Sequence, residues 1–347
     1  MKVALVHQRW QRGGGLETRM INYVNYFQQR GDEVTIVTGR IDTALPIPNG
    51  VQLIDVKLRP VPKPLRILFF NRRVAAVMES HSFDFVLSMG RTYSQDNLIA
   101  PNTNRGYLQA LGRTAWRPLD ALNSQLDVQS FQSSKSIFAC SDMIKQEVVD
   151  LYQIDVEKVY TLYPPFDDSR FKLSGESQGA IRARLGLDNN RKYLLLASSS
   201  HGKKGMPLLN KVMEALPDST ITLLVMGATF KPQQGNIISL GYQQEVADFF
   251  KAADLTIHPS VYEPFGQVIT ESLFCQTPVL VSERTGAKEI LSSKEGQVVE
   301  GFAVNDWTNA ILKALDTTFE IDRDFIAQKK LSIQDHVNEM LRIAGVG

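Results

Sequence analysis

Glu263 and Glu271 flank a Pro-Phe-Gly step in HPSVYEPFGQVITESLFCQTPVLVSERTG, residues 258–286. Pro264 suits the first turn of a helix, and Gly266 lets main chain approach a ligand closely. A helix start offers free N–H groups and about half a positive charge, which suits a phosphate. Glu263 sits just before that start. Glu271 follows about 8–12 Å further along the axis at ~1.5 Å per residue, so two acids can grip opposite parts of one extended ligand. Phe265, Val268, Ile269 and Leu273 share an apolar face and leave Glu271 off it. Acids near helix starts are also favoured by ~0.3–1 kcal/mol with no ligand present, so simple capping stays open. A hydrolytic acid/base pair has less support, because nothing else in the chain supplies partners for it.

Two further stretches offer anion-binding chemistry. In HQRWQRGGGLETR (7–19), Gly13, Gly14 and Gly15 precede a helix expected to open at Leu16 or Glu17, and glycine N–H groups there can face an anion. Thr18 breaks the dinucleotide fingerprint G-x-G-x-x-G, so NAD binding loses support. In ASSSHGKKGMPLLNKV (197–212), Lys203 and Lys204 lie between a strand and a helix, where an ammonium can clamp a phosphate. Ala197 and Lys204 do not fit G-x-x-x-x-G-K-[ST], which excludes an ATPase loop. Flexible turns and solvated lysines are the plainer readings of these two stretches. Asp322-Arg323-Asp324 has the form of a metal-binding D-x-D but lacks a strand end before it, and helix capping is the better reading. The histidines at 7, 81, 201, 258 and 336 show no ligand spacing.

The elements that must position these residues are legible as apolar runs. Strands are expected at 2–7, 33–39, 51–56, 83–90, 136–141 and 159–165, then at 193–200, 220–227, 237–242, 254–260 and 277–283. Near-continuous apolar runs mark strands buried on both faces of a parallel sheet. Between them lie crossover helices; Leu16, Met20, Val24 and Phe27 repeat at helical spacing before Gly31. Two such series predict two doubly wound α/β domains, 1–170 and 171–330, with the break in PPFDDSRFKLSGESQGA (164–180). Ligands of such sheets bind at the carboxyl ends of the strands, so a site in a cleft between two facing sheets is expected. A helix within about 331–347 is expected to pack back on the first domain.

Composition narrows the class. With 347 residues, 43% hydrophobic and 22% charged, the chain is globular in type and long enough for two domains. A net charge of +1 argues against a nucleic-acid partner. Cys140 and Cys275 form no C-x-x-C pair and predict a reducing, cytoplasmic setting. MKVALVHQRW is too short an apolar run for a signal peptide, and no stretch is long enough to span a membrane. One segment stands apart: Lys57, Arg59, Lys63, Arg66, Arg72 and Arg73, with Phe69 and Phe70 among them and no acid between 57 and 73. It can meet an anionic membrane surface from the inner face, at ~1 kcal/mol per basic residue near the surface, or grip a phosphorylated acceptor. A helix with a solvated basic face is the plain alternative.

GGGLET, GKKG and HPSVYEPFGQVITESLFCQTPVLVSERTGAKEIL together resemble glycosyltransferase family 4. The likeness takes in SIFACSDMIKQEVVDLYQIDVEKVYTLYPPFD (136–167) and is strongest over 193–290. It implies the GT-B fold and a retaining transfer of a sugar from a nucleotide-diphosphate sugar, with UDP the expected carrier, to a glycan or lipid-linked glycan such as a lipopolysaccharide core or capsule. A sugar-nucleotide epimerase or hydrolase of the same fold, or a non-catalytic binder, are the alternatives. By this resemblance Glu263 contacts donor-sugar hydroxyls and Glu271 the ribose. Main-chain amides around Phe265, Gly266 and Gln267 meet the diphosphate with Lys204, and Gly14 and Gly15 approach it from the first domain. Lysine and helix dipoles then stabilise the leaving group, so that no metal and no cofactor is expected. Many relatives carry an arginine at the place of Ser199, a charge that Lys203 can replace. Many also carry a histidine in the acceptor loop after the fourth strand; APNTNRGYLQ (100–109) offers Asn104 as a catalytic residue there, with Arg105 and Glu17 toward the acceptor. Asn104 can hydrogen-bond a hydroxyl but cannot change charge.

Overall fold

A computed structural model describes residues 1–58, 61–62, 65–115, 117–168, 171–217, 220–232 and 234–346. The chain forms two compact units, Met1–Pro165 with Leu331–Gly347, and Phe166–Lys330.

The first unit runs β1 (Lys2–Val6), α1 (Gly15–Gln29), β2 (Glu33–Thr38), β3 (Gln52–Asp55), α2 (Arg66–Ser80), β4 (Phe85–Ser88), β5 (Asn97–Ala100), α3 (Asn104–Ala110), α4 (Pro118–Ser133), β6 (Ser136–Ala139), α5 (Asp142–Tyr152) and β7 (Val159–Thr161). Its parallel sheet has the order β3-β2-β1-β4-β5-β6-β7. Val3 pairs with Val34 on one side and Phe85 on the other, so β1 is walled by strands on both edges. Its apolar residues are fully buried, as expected where helices cover both sheet faces. Met20, Val24 and Phe27 of α1 pack into that core, each worth about 1.5–3 kcal/mol on burial.

The second unit contains α6 (Gln178–Arg184), β8 (Lys192–Ser198), α7 (Met206–Ala215), β9 (Ile221–Gly227), β10 (Ile237–Gly241), α8 (Val246–Ala252), β11 (Leu255–His258), α9 (Gln267–Phe274), β12 (Val279–Ser282), β13 (Gly296–Val299), α10 (Val304–Leu315) and α11 (Phe325–Gln328). Its parallel sheet has the order β10-β9-β8-β11-β12-β13. Each unit is thus a doubly wound parallel sheet of the Rossmann-like kind. The chain then returns to the first unit as α12 (Ile333–Ala344), whose Val337, Met340 and Leu341 join the core beneath α1.

Two strands escaped the hydropathy pattern. β5 is the short NLIA inside a polar stretch, and β13 is GQVV, with a glycine as its first residue; at four residues each, neither rises above its surroundings. The segment 100–109 therefore follows the fifth strand rather than the fourth. The helix after Glu263 also opens later than Pro264 suggests, at Gln267 with Gly266 as its cap. Gly15, not Leu16 or Glu17, is the first residue of α1.

Candidate functional site

In the second unit the direction of winding reverses between β8 and β11, and the loops leaving these two strands lie side by side. Gly205 shows how closely. Its φ is +83°, and a Cβ there would run into the carbonyl oxygen of Pro259, so only glycine lets the loop after β8 lie main chain to main chain against the loop after β11. Ser260 Oγ donates to Lys203 O at 3.0 Å, and Ser282 Oγ, from the end of β12, donates to Ser260 O at 2.6 Å.

This seam brings Lys204 to Glu263. Lys204 Nζ donates to Glu263 Oε2, across 59 positions of sequence. His258, the last residue of β11, is fully buried and places Nε2 3.2 Å from the same oxygen. Its Nδ1 is buried without a hydrogen-bond partner among the described residues. That asymmetry assigns the ring proton to Nε2, which donates to the carboxylate. Burial first, and the Lys204 charge second, hold the imidazole well below its ordinary pKa, so it stays neutral. Burial, with Lys203 beside it, pulls the Lys204 ammonium down to about 8; the Glu263 carboxylate in contact works the other way.

The Glu263 main chain is held as firmly as its side chain. Glu263 N donates to Arg284 O at 3.0 Å, Gly286 N to Glu263 O at 2.9 Å, and Ala287 N to Phe265 O at 2.8 Å. The loop is thus stitched to the turn after β12. Gly266 has φ +99°, and a Cβ there would stand 3.1 Å from Glu263 Cγ. Beyond it α9 starts, with the unfilled N–H groups of any helix start. Glu271 lies one turn into α9 and is half-buried. Burial pushes the Cys275 thiol up to about 12, and the Glu271 charge adds to it. Ser199 and Lys203 are exposed at the mouth of the same loop, and Gln267 is half-buried.

The first unit presents other chemistry. A cavity of about 910 Å³ lies over the ends of β1, β4 and β5, walled by side chains such as Phe70, Leu98, Leu122 and Phe131. At its rim His7 Nδ1 donates to Met89 O at 3.0 Å, and His7 Nε2 is buried without a partner among the described residues. Burial lowers the His7 pKa, opposed by Glu17. Glu17 is on the rim too; it faces Arg9 at 3.8 Å, and its carboxylate folds back over Gly14, where a Cβ would collide with it. Gly14 and Gly15 are exposed.

Asn104 and Arg105 lie elsewhere in the first unit. Asn104 is buried, and its Nδ2 donates to Asp120 O and to Ser124 Oγ, both at 2.9 Å, while its main-chain N donates to Asp127 Oδ2 at 2.8 Å. Both side-chain donors are therefore occupied in clamping α3 to α4. Arg105 donates to Leu151 O and lies over the Tyr152 ring, 4.5 Å from its centroid. Neither lines the cavity. In the basic segment, Arg59 and Lys63 lie outside the described residues. Arg73 donates to Val56 O at 2.5 Å, and Leu65, Leu68 and Phe69 are exposed beside Arg66 and Arg72. Asp322 Oδ1 accepts from Asp324 N at 2.8 Å and its Oδ2 from Gln328 Nε2, an Asx turn that opens α11. Sequence reasoning passed over His258 and His7; of these only His258 carried a signal, at the strand end next to the Glu263 loop.

Residues 13–170 match the model of Glycosyltransferase Family 4, and residues 177–332 that of Glycosyl transferases group 1. The chain belongs to the family 4 glycosyltransferases. A probable transglycosylase of Burkholderia thailandensis is 27% identical over 294 residues, covering 84% of this chain and 80% of the relative. WaaG, a glycosyltransferase involved in lipopolysaccharide biosynthesis, superposes with a TM-score of 0.79 at 20% identity, over 99% of this chain and 100% of WaaG. HepE of Anabaena, solved with UDP and glucose, superposes at 0.75 with 15% identity over 99% of each chain. These likenesses concern the fold. The glycosyltransferase therefore carries its acidic and basic partners, Glu263 and Lys204, at the reversal point of its group 1 domain. No helix among the described residues is long and apolar enough to cross a membrane.

Proposed function

We propose that this glycosyltransferase moves a hexose, with retention, from a UDP-linked sugar held by the second unit to a glycan or lipid-linked glycan held by the first. The contact between Lys204 and Glu263 carries the reading. An ammonium and a carboxylate in mutual contact beside a helix start can open around a sugar diphosphate, Lys204 turning to the phosphates and Glu263 to the sugar hydroxyls. The amides around Phe265, Gly266 and Gln267 would meet the diphosphate, with Lys203 and Ser199 at its outer edge and Glu271 at the ribose. Gly14 and Gly15 would complete the phosphate contacts once Glu17 is drawn aside. The glycosidic oxygen departs on the diphosphate, whose charge the ammonium and helix N–H groups stabilise. The acceptor oxygen attacks on the same face, and its proton passes to the departing phosphate oxygen, which preserves the anomeric configuration. Glycan assembly of the lipopolysaccharide kind fits the named role of WaaG. A location at the inner membrane face fits the exposed Leu65, Leu68 and Phe69 beside Arg66 and Arg72.

A thermal-shift panel of nucleotide sugars tests the donor: a true donor at 100 times its Kd adds about 2.7 kcal/mol to the folded state. If no nucleotide sugar shifts the transition, and Glu263→Ala leaves turnover intact, the reading fails.

A further inference from the structure

A second basin, of about 1120 Å³, opens over the ends of β1, β2 and β3 in the first unit. Among the described residues Arg9, Arg40, Lys57 and Arg66 line it, against the carboxylate of Asp55. That carboxylate already accepts from Lys57 N at 2.8 Å. Among the described residues, Arg40, Lys57 and Arg66 have no carboxylate within ion-pair distance, and Arg9 has only Glu17, at 3.8 Å with the Arg9 side chain 51% exposed. Arg66 Nε donates to Val61 O at 2.9 Å, which steadies its guanidinium. The basin shares Gln8, Arg9 and Ile67 with the apolar cavity, so the two abut, one mostly apolar and the other cationic.

Each half selects a different part of a ligand. The mostly apolar wall of the cavity favours a hydrocarbon, which gains roughly 25 cal/mol per Å² buried. In the basic half, unpaired guanidinium and ammonium groups favour a phosphate. The cavity lies within the size range of small-ligand pockets, about 300–1,000 Å³. We propose that the first unit binds a phosphate-bearing amphiphile as a single molecule, its hydrocarbon in the cavity and its phosphate in the basin. As the acceptor it makes the proposed transfer one to a lipid-linked substrate; that part rests on the transferase reading, while the binding itself does not.

Calorimetric titration of the full chain with dodecyl phosphate, below its micelle concentration, tests this against inorganic phosphate and the neutral dodecyl maltoside. Dodecyl phosphate is expected to bind at least about tenfold more tightly than either. Arg40→Glu and Lys57→Glu should weaken dodecyl phosphate by about tenfold while sparing dodecyl maltoside. Leu122→Trp, or Asn123→Trp should the first not fold, fills the cavity and should weaken both amphiphiles. Equal affinity for dodecyl phosphate and inorganic phosphate overturns the proposal, as does indifference to the cavity-filling change. Binding confined to vesicles of anionic phospholipid, with none to the monomer, also overturns it and assigns the basic groups to a bilayer surface. Nucleotide-sugar thermal shifts on every variant report folding and separate the two readings. Lost donor binding with retained dodecyl phosphate binding condemns the donor site alone, and the reverse condemns this one.

Discussion

Both sheets reverse their winding beside their first strand, between β1 and β4 in the first unit and between β8 and β11 in the second. At the second reversal point, loops are pressed together and charges meet: Lys204, Glu263 and His258 share one carboxylate oxygen. The first reversal point is instead hollow and mostly apolar, with the Arg91–Asp127 ion pair on its wall and further cations in the basin beyond. One topology thus hosts two chemistries. Strand order creates a crevice at each point, but the loop residues decide whether it fills with ion pairs or stays open to hydrocarbon.

The comparison breaks most sharply at Lys204 and Glu263. Lys204→Ala or Glu263→Ala should lower transfer by about 100- to 1,000-fold, the usual scale for removing one transition-state charge partner, while dodecyl phosphate binding to the first unit persists. Steady-state kinetics beside calorimetry check this. Donor kcat/KM should next fall about tenfold per pH unit above about pH 8, where the free Lys204 loses its proton. The sign for stability is opposite: the folded state holds that proton less firmly than the unfolded chain does. Stability from this group therefore rises between pH 8 and the ordinary lysine range. A pH–rate profile flat to pH 10 would detach Lys204 from the chemistry.

Gly205→Ala should destabilise the second unit by about 2 kcal/mol, through its positive φ and the collision with Pro259; urea unfolding reads it. A smaller effect per pH unit is expected on the first unit, where His336 Nε2 of α12 accepts from Tyr23 Oη at 2.6 Å and His336 Nδ1 donates to Tyr163 O at 2.8 Å. Burial, with Arg19 nearby, lowers its pKa to about 3. The unfolded chain then binds a proton that the folded one refuses. Stability should fall by about 1.4 kcal/mol per pH unit as pH drops from 6.5 toward 3, and His336→Gln should flatten that slope. Smallest of all, Asp324→Ala, at an exposed cap with no side-chain bond, should change stability by less than about 0.5 kcal/mol.

Much of the fold was legible because apolar runs record burial directly. Eleven of the strands lie where such runs lie, and β5 and β13 were lost because four residues with a polar or glycine start carry too little pattern. Of the site, the Glu263 loop was legible through a proline, a glycine and an acid close together in the chain. Asn104 shows what the sequence leaves out: an asparagine at a loop end reads as a ligand group, and only its neighbours Asp120, Ser124 and Asp127 show its donors engaged in packing α3 to α4.

By itself the sequence determined the alternation of strand and helix and the glycines that permit tight turns, since both depend on residues within a few positions of each other. It also determined which carboxylates and lysines stand at strand ends. Tertiary structure alone decided that Lys204 faces Glu263, that His258 backs the same oxygen, and that side chains from β1 through α4 enclose a hydrocarbon-lined space. Those pairings follow from strand order and from how closely loops pack, and no local pattern encodes either.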